Sequence, residues 1–133
     1  PMQLLNAYAA VANGGTLYTP HLLKQVVDTT GAVVYTQAPK ITRKLDMKPE
    51  DLATIREGAR KVVTSNHAPM PNAKLPIAGK TGTAEFGTDV PPRSHSWFAG
   101  VRGDLAISVF SYGGEQSSTG AVLLARNFFT ALP

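Results

Sequence analysis

The stretch Ala78-Gly79-Lys80-Thr81-Gly82-Thr83-Ala84-Glu85 gathers one basic side chain, two hydroxyls, two glycines and one acid into eight residues. Gly79-Lys80-Thr81 ends like a phosphate-cradling loop, but that loop needs a glycine five residues before its second one, where this chain has Lys74. Nor does an apolar strand run into the segment with a helix following it. A ligand-binding strand fits better. Gly82 removes a side chain that would block a ligand's backbone, and the hydroxyls of Thr81 and Thr83 can grip a carboxylate. Strict alternation sets Lys80 and Gly82 on one face and Thr81 and Thr83 on the other. Lysine and threonines then serve one site only if the strand borders a cleft edge-on. On the tetrapeptide alone, a glycine-containing edge strand with a solvated lysine is an equally good reading.

Other candidates carry less. Glu85 stands where a strand-end acid would touch a ligand, though a simply exposed acid is as good a reading. Trp97 and Phe98 alternate on an apolar run, so one faces the core and the other is free to line a groove. His95 reads as a surface or strand-end histidine. His21 and His67 have no Glu or His partner at metal spacing, so no metal site is expected, and no cofactor.

Elements must position these residues. Leu4, Leu5, Tyr8, Val11 and Ala12 recur at helical spacing until Asn13-Gly14-Gly15 stops the pattern. Leu22–Val27 and Ala32–Thr36 read as a hairpin across Asp28-Thr29-Thr30-Gly31, and Gln37–Lys48 as a polar connection. A second helix is expected from Pro49 to about Thr64, acidic at its start (Glu50, Asp51) and basic at its end (Arg60, Lys61). Glu57 and Lys61, at i and i+4, support it. Ser65–Leu75 is expected as an ordered loop, Ile77–Phe86 as a strand and Gly87–Arg93 as a proline-bearing loop. Ser96–Arg102 and Leu105–Tyr112 pair across Gly103-Asp104, a two-residue turn with glycine first. Ser117 or Ser118 caps a last helix whose apolar positions are Ala121, Leu124, Ala125, Phe128 and Leu132. The fold class is α+β: an antiparallel sheet packed against helices, in one unit.

Composition agrees and excludes. The 133 residues are 43% hydrophobic and 17% charged, which fits a globular chain and excludes a disordered one. No apolar run approaches the ~18–20 residues needed to cross a bilayer, and Pro1–Gly15 lacks the basic start of a signal peptide. Without cysteine there is no disulfide or thiolate chemistry. The formal charge is +4, yet the densest basic group, Lys40, Arg43, Lys44 and Lys48, is broken by Asp46 and followed by Glu50 and Asp51. A solvated basic face is the reading, without nucleic acid as a partner.

Lys80-Thr81-Gly82-Thr83 resembles the Lys-Thr-Gly box of penicillin-binding proteins and serine β-lactamases. Pro1–Gly15, Ala78–Glu85 and His95-Ser96-Trp97-Phe98-Ala99-Gly100 are similar, in order, to segments of the class B penicillin-binding proteins. The resemblance implies the C-terminal half of a transpeptidase domain of the penicillin-binding-protein/β-lactamase-like fold. It implies a D,D-transpeptidase that cross-links peptidoglycan stem peptides through an acyl-serine and is acylated by β-lactams. Lys80 would belong to the cleft's proton and electrostatic network, and Thr81 and Thr83 would bind the substrate's terminal carboxylate. The backbone N–H of Thr83 would form half of an oxyanion hole, and Gly82 would admit the substrate as an added strand.

The family's nucleophile motif, Ser-x-x-Lys, occurs nowhere in the chain, and its Ser-x-Asn motif and N-terminal membrane anchor are expected upstream. The start at Pro1 reads as a cut or processed end. The chain alone is therefore expected to be inert, its missing half of the domain belonging to a longer protein or arriving as a second polypeptide. A glycine-threonine segment expected before the Lys-Thr-Gly strand is also absent. The resemblance places the parent protein on the bacterial cytoplasmic membrane, facing the periplasm or extracytoplasmic space. Its alternatives are a non-catalytic β-lactam-sensing or scaffold module of the same fold, and a serine β-lactamase.

Overall fold

The computed structural model describes residues 1–65, 76–113 and 120–132. Helix α1 (Met2–Ala12) ends where Asn13 takes over the hydrogen bonding: its side chain donates to the carbonyl of Thr16 and accepts from the Thr16 N–H, both at 2.8 Å. That bracket turns the chain into β1 (Thr16–Tyr18), which pairs antiparallel with β4 (Ile41–Lys44). β4 lies inside the segment expected to be a polar connection, and every residue in it is exposed. Two of its four residues are cationic, so periodicity gave no sign of a strand; the partner strand forms it. Between them, β2 (Gln25–Val27) and β3 (Val33–Thr36) make the expected hairpin with shorter strands.

Helix α2 (Pro49–Thr64) has the expected bounds, with Pro49 in its first turn and Glu50 and Asp51 near the positive end of the dipole. Glu57 and Lys61 pair at 2.7 Å. The main sheet is antiparallel in the order β5 (Ile77–Phe86), β6 (Arg93–Arg102), β7 (Leu105–Ser111). β6 starts three residues before the expected Ser96, because the β5–β6 ladder runs unbroken to the pair Phe86 and Arg93. Gly103 has φ +60° and no described non-glycine residue has positive φ, which makes the β6–β7 turn the expected glycine-first type.

Helix α3 (Ala121–Ala131) closes one face of this sheet. Ala121, Val122, Ala125 and Phe129 form the core with Ile77 and Phe98 of the sheet and Val63 of α2. Phe129 is buried while Phe128 stays on the rim. Ser117 and Ser118 lie outside the described residues, as does nearly all of the expected loop before β5. At the start of α3 the cap position is Gly120, and the Ala121 N–H donates to the buried Ser96 hydroxyl at 3.0 Å. Among the described residues no helix is long and apolar enough to cross a membrane.

Candidate functional site

Among the described residues β5 is an outer strand of its sheet, with β6 on one side and no strand on the other. The direction of its backbone groups follows from the ladder. In a two-residue hairpin the closing pair, here Arg102 and Leu105, is hydrogen-bonded across the turn, so Arg102 points its N–H and C=O at β7. Successive residues point to opposite sides. Val101 therefore faces β5, and its partner Ala78 faces β6. Ile77, Gly79, Thr81, Thr83 and Glu85 are left with their N–H and C=O groups directed at the unpaired edge. Two contacts agree: Arg60 donates to the Ile77 carbonyl and Lys80 Nζ to the Thr81 carbonyl, each at 2.8 Å.

Side chains divide as the alternation predicts. Lys80 and Gly82 share one face with Trp97, while Thr81, Thr83 and Glu85 lie on the other. The threonines are opposite the two residues of β6 that bind the sheet to α3: Thr81 pairs with the buried Phe98, and Thr83 with Ser96. Phe98 is thus the core member of the Trp97–Phe98 pair, and Trp97 is half-buried against Phe110 with ring centroids 4.4 Å apart. Lys80 and Thr83 are exposed, Thr81 and Gly82 half-buried. Glu85 is exposed near the far end of the strand. The candidate residues therefore do not converge on one face; they flank one edge of β5 that no described strand pairs.

Lys80 also lines one end of a groove of about 480 Å³ between α1, α2 and the sheet, whose walls include Tyr8, Val11, Ile55, Val62, Ala78 and Val101. The groove is apolar enough that burial pushes the Tyr8 hydroxyl's pKa up. Arg60, expected only to favour the helix dipole, ties α2 to the first residue of β5. Neither that tether nor the Ser96 cap has a sequence signal, because each joins residues far apart in the chain. His95 is likewise less peripheral than expected: it is half-buried and its ring stacks on Phe86.

Chemically, the edge offers backbone donors and acceptors spaced for an extended ligand, with hydroxyls on one side and an ammonium on the other. That suits a peptide ending in a carboxylate. Among the described residues no cluster of three His, Asp or Glu side chains is placed to hold a metal.

Residues 1–110 match the family model for the penicillin binding protein transpeptidase domain. The chain is 35% identical over 101 residues to penicillin-binding protein 2A of Bacillus subtilis, covering 71% of this chain and 14% of that protein. It is 31% identical to the peptidoglycan D,D-transpeptidase PbpA of Mycolicibacterium smegmatis, over 94% of this chain and 27% of the relative. Penicillin-binding protein A of M. tuberculosis, solved as an imipenem acyl-enzyme complex, superposes on all of this chain (100%) and 31% of its own, at 25% identity and TM-score 0.76. The chain thus spans between 14% and 31% of the length of these three proteins.

Proposed function

The chain belongs to the transpeptidase-domain family of the penicillin-binding proteins, in its class B, and from that membership we propose that it forms the C-terminal part of a D,D-transpeptidase domain that cross-links stem peptides. The observation that carries the proposal is the free edge of β5, along which the Thr83 N–H points outward. An extended stem peptide adds to that edge as a further strand, and Gly82 leaves its path open. The hydroxyls of Thr81 and Thr83 take the terminal carboxylate. The Thr83 N–H donates to the carbonyl oxygen as it becomes an oxyanion, where a preorganised donor contributes most. Lys80 supplies positive charge and a proton path from the opposite face.

The serine nucleophile is assigned to the remainder of the domain, since no serine here has lysine three residues on. β-Lactams acylate the same domain, a reading supported by the acyl-enzyme complexes of the mycobacterial relative, and on this proposal they lie along the same edge. The parent protein works on the outer side of the bacterial cytoplasmic membrane, where its substrate is.

The test is acylation of the intact protein by benzylpenicillin, read as a mass increase. Lys80→Ala is expected to lower the acylation rate by a factor of about 100 or more, in the range for loss of a general acid–base or electrostatic group. Acylation at the normal rate would remove Lys80 from the mechanism. Transfer of a stem-peptide analogue to an amine acceptor separates a transpeptidase from a sensor, which acylates without transferring.

A further inference from the structure

Thr83, Ala84 and Glu85 form an exposed outer half of β5, and the groove between α1 and α2 reaches only as far as Lys80. Within the described residues, what restrains this half is the β6 ladder and a cluster of rings on the Lys80 face. His95, the register partner of Ala84, stands at the centre of that cluster. Its ring lies 4.0 Å from Phe86 with 11° between the planes, and Tyr112 and Phe110 follow at 4.8 and 5.2 Å. The Arg93 guanidinium covers Phe86 at 5.1 Å and is paired with Asp89.

For stacking alone a phenylalanine would serve. The histidine adds an acceptor: the Gly113 N–H donates to His95 Nδ1 at 3.2 Å. With Nδ1 accepting, the neutral ring carries its proton on Nε2. Gly113 is where the chain leaves β7, in a left-handed conformation with φ +56°, and a β-carbon there would lie 3.8 Å from Phe86 Cζ. One ring therefore joins the last residue of β5, its own strand β6 and the exit of β7.

We propose that His95 is a positioning residue for the Thr83 edge: by accepting from Gly113 while stacked on Phe86, it holds the outer half of β5 in the geometry that aims the Thr83 N–H. This rests on the reading of β5 as the substrate strand. His95 itself touches no substrate. Its removal loosens the edge without altering the groups that bind.

Two variants of the intact protein separate the polar role from packing. His95→Phe keeps the stack and loses the acceptor. Its acylation rate at saturating benzylpenicillin is expected to fall about tenfold, the equivalent of one hydrogen bond, with faster amide exchange at Gly113 and at Ala84, whose N–H faces β6 in the ladder. His95→Asn loses most of the stack, but its Oδ1 accepts in place of Nδ1, and it is expected to restore both readouts to within about threefold of wild type. Melting temperatures are expected in the opposite order, with the Asn variant lower. Wild-type acylation and exchange in His95→Phe, or equal losses in both variants, would overturn the proposal. If the wild-type protein takes up no penicillin, the transpeptidase reading fails instead. Amide exchange at Ala84 then decides alone: faster in the Phe than in the Asn variant upholds the positioning role, and no difference overturns it.

Discussion

A methyl group added at Gly82 would meet Trp97 Cβ at 3.4 Å, an ordinary contact, whereas one added at Gly79 or Gly100 would strike the Phe98 ring at 2.4 or 2.7 Å. Three glycines of one sheet therefore differ in how much room surrounds them. Gly79 and Gly100 are cross-strand partners that make room for the core ring above them. Among the described residues nothing needs Gly82 to be bare, as the proposed approach of a ligand along β5 requires. Gly79→Ala is expected to destabilise the intact protein by about 1–3 kcal/mol, the range for overpacking a filled site. Gly82→Ala is expected to melt within a degree or two of wild type, by roughly 0.5 kcal/mol or less for a surface change, yet to acylate slowly. Thermal melts alongside penicillin acylation rates check the pair, and a strongly destabilised Gly82→Ala would return Gly82 to a packing role. The alternation of Lys80 and Gly82 against Thr81 and Thr83 was legible from spacing. Which of their backbone groups face outward was not, because that depends on the register with β6 and on the turn that fixes it.

Elements depend on residues that their own sequence does not advertise. The hydroxyl of Ser96, fully buried opposite Thr83, accepts from the first N–H of α3. Ser96→Ala leaves that donor buried without its partner and is expected to cost about 1–2 kcal/mol, seen as a lower urea midpoint with unchanged slope. Serines ahead of α3 were the natural sequence choice for its cap, since capping is normally local; an acceptor 25 residues away carries no spacing signal. β4 was missed for a related reason, as Ile41-Thr42-Arg43-Lys44 buries nothing and owes its form to β1. The β2–β3 hairpin was legible, because Asp28 and Gly31 are turn residues with a mechanism. The Asp28 carboxylate accepts from the Thr30 hydroxyl at 2.6 Å, and from the N–H groups of Thr30 and Ala32 at 2.8 and 3.0 Å. These bonds, the hydroxyl's first, hold its pKa below the ordinary carboxylate value. A pKa depressed in the folded state stabilises above the unfolded pKa of about 3.9, and the effect is lost as pH falls through the folded value. Asp28→Ala is thus expected to lower the urea midpoint at pH 6–8 by a constant amount, with the gap shrinking below about pH 4. A gap that persists unchanged at pH 2 would mean that Asp28 acts without its charge.

At the scale of the molecule, the two faces of the main sheet are finished differently. α3 seals the Thr81 and Thr83 face with a core of buried side chains. The Lys80 face meets α1 and α2 across an apolar groove of about 480 Å³ that nothing in the described chain fills. Apolar side chains of the hairpin, among them Val26, Val33, Val34 and Tyr35, also stand exposed. Apolar surface on this scale belongs against something, and the chain accounts for no more than 27% of the first two relatives it matches. The 133-residue polypeptide produced alone is therefore expected to bind a hydrophobic dye and to sediment faster than a compact 14.1 kDa monomer. Its mass is expected to stay unchanged in penicillin. Adding the rest of the domain as a second polypeptide is expected to quench the dye signal and to place the penicillin adduct on that second polypeptide. A compact monomer that ignores the dye would mean that the groove closes by itself. An adduct on the 133-residue chain would be the graver result, since one of its own serines would then be the nucleophile and the division of labour between β5 and the rest of the domain would have to be redrawn.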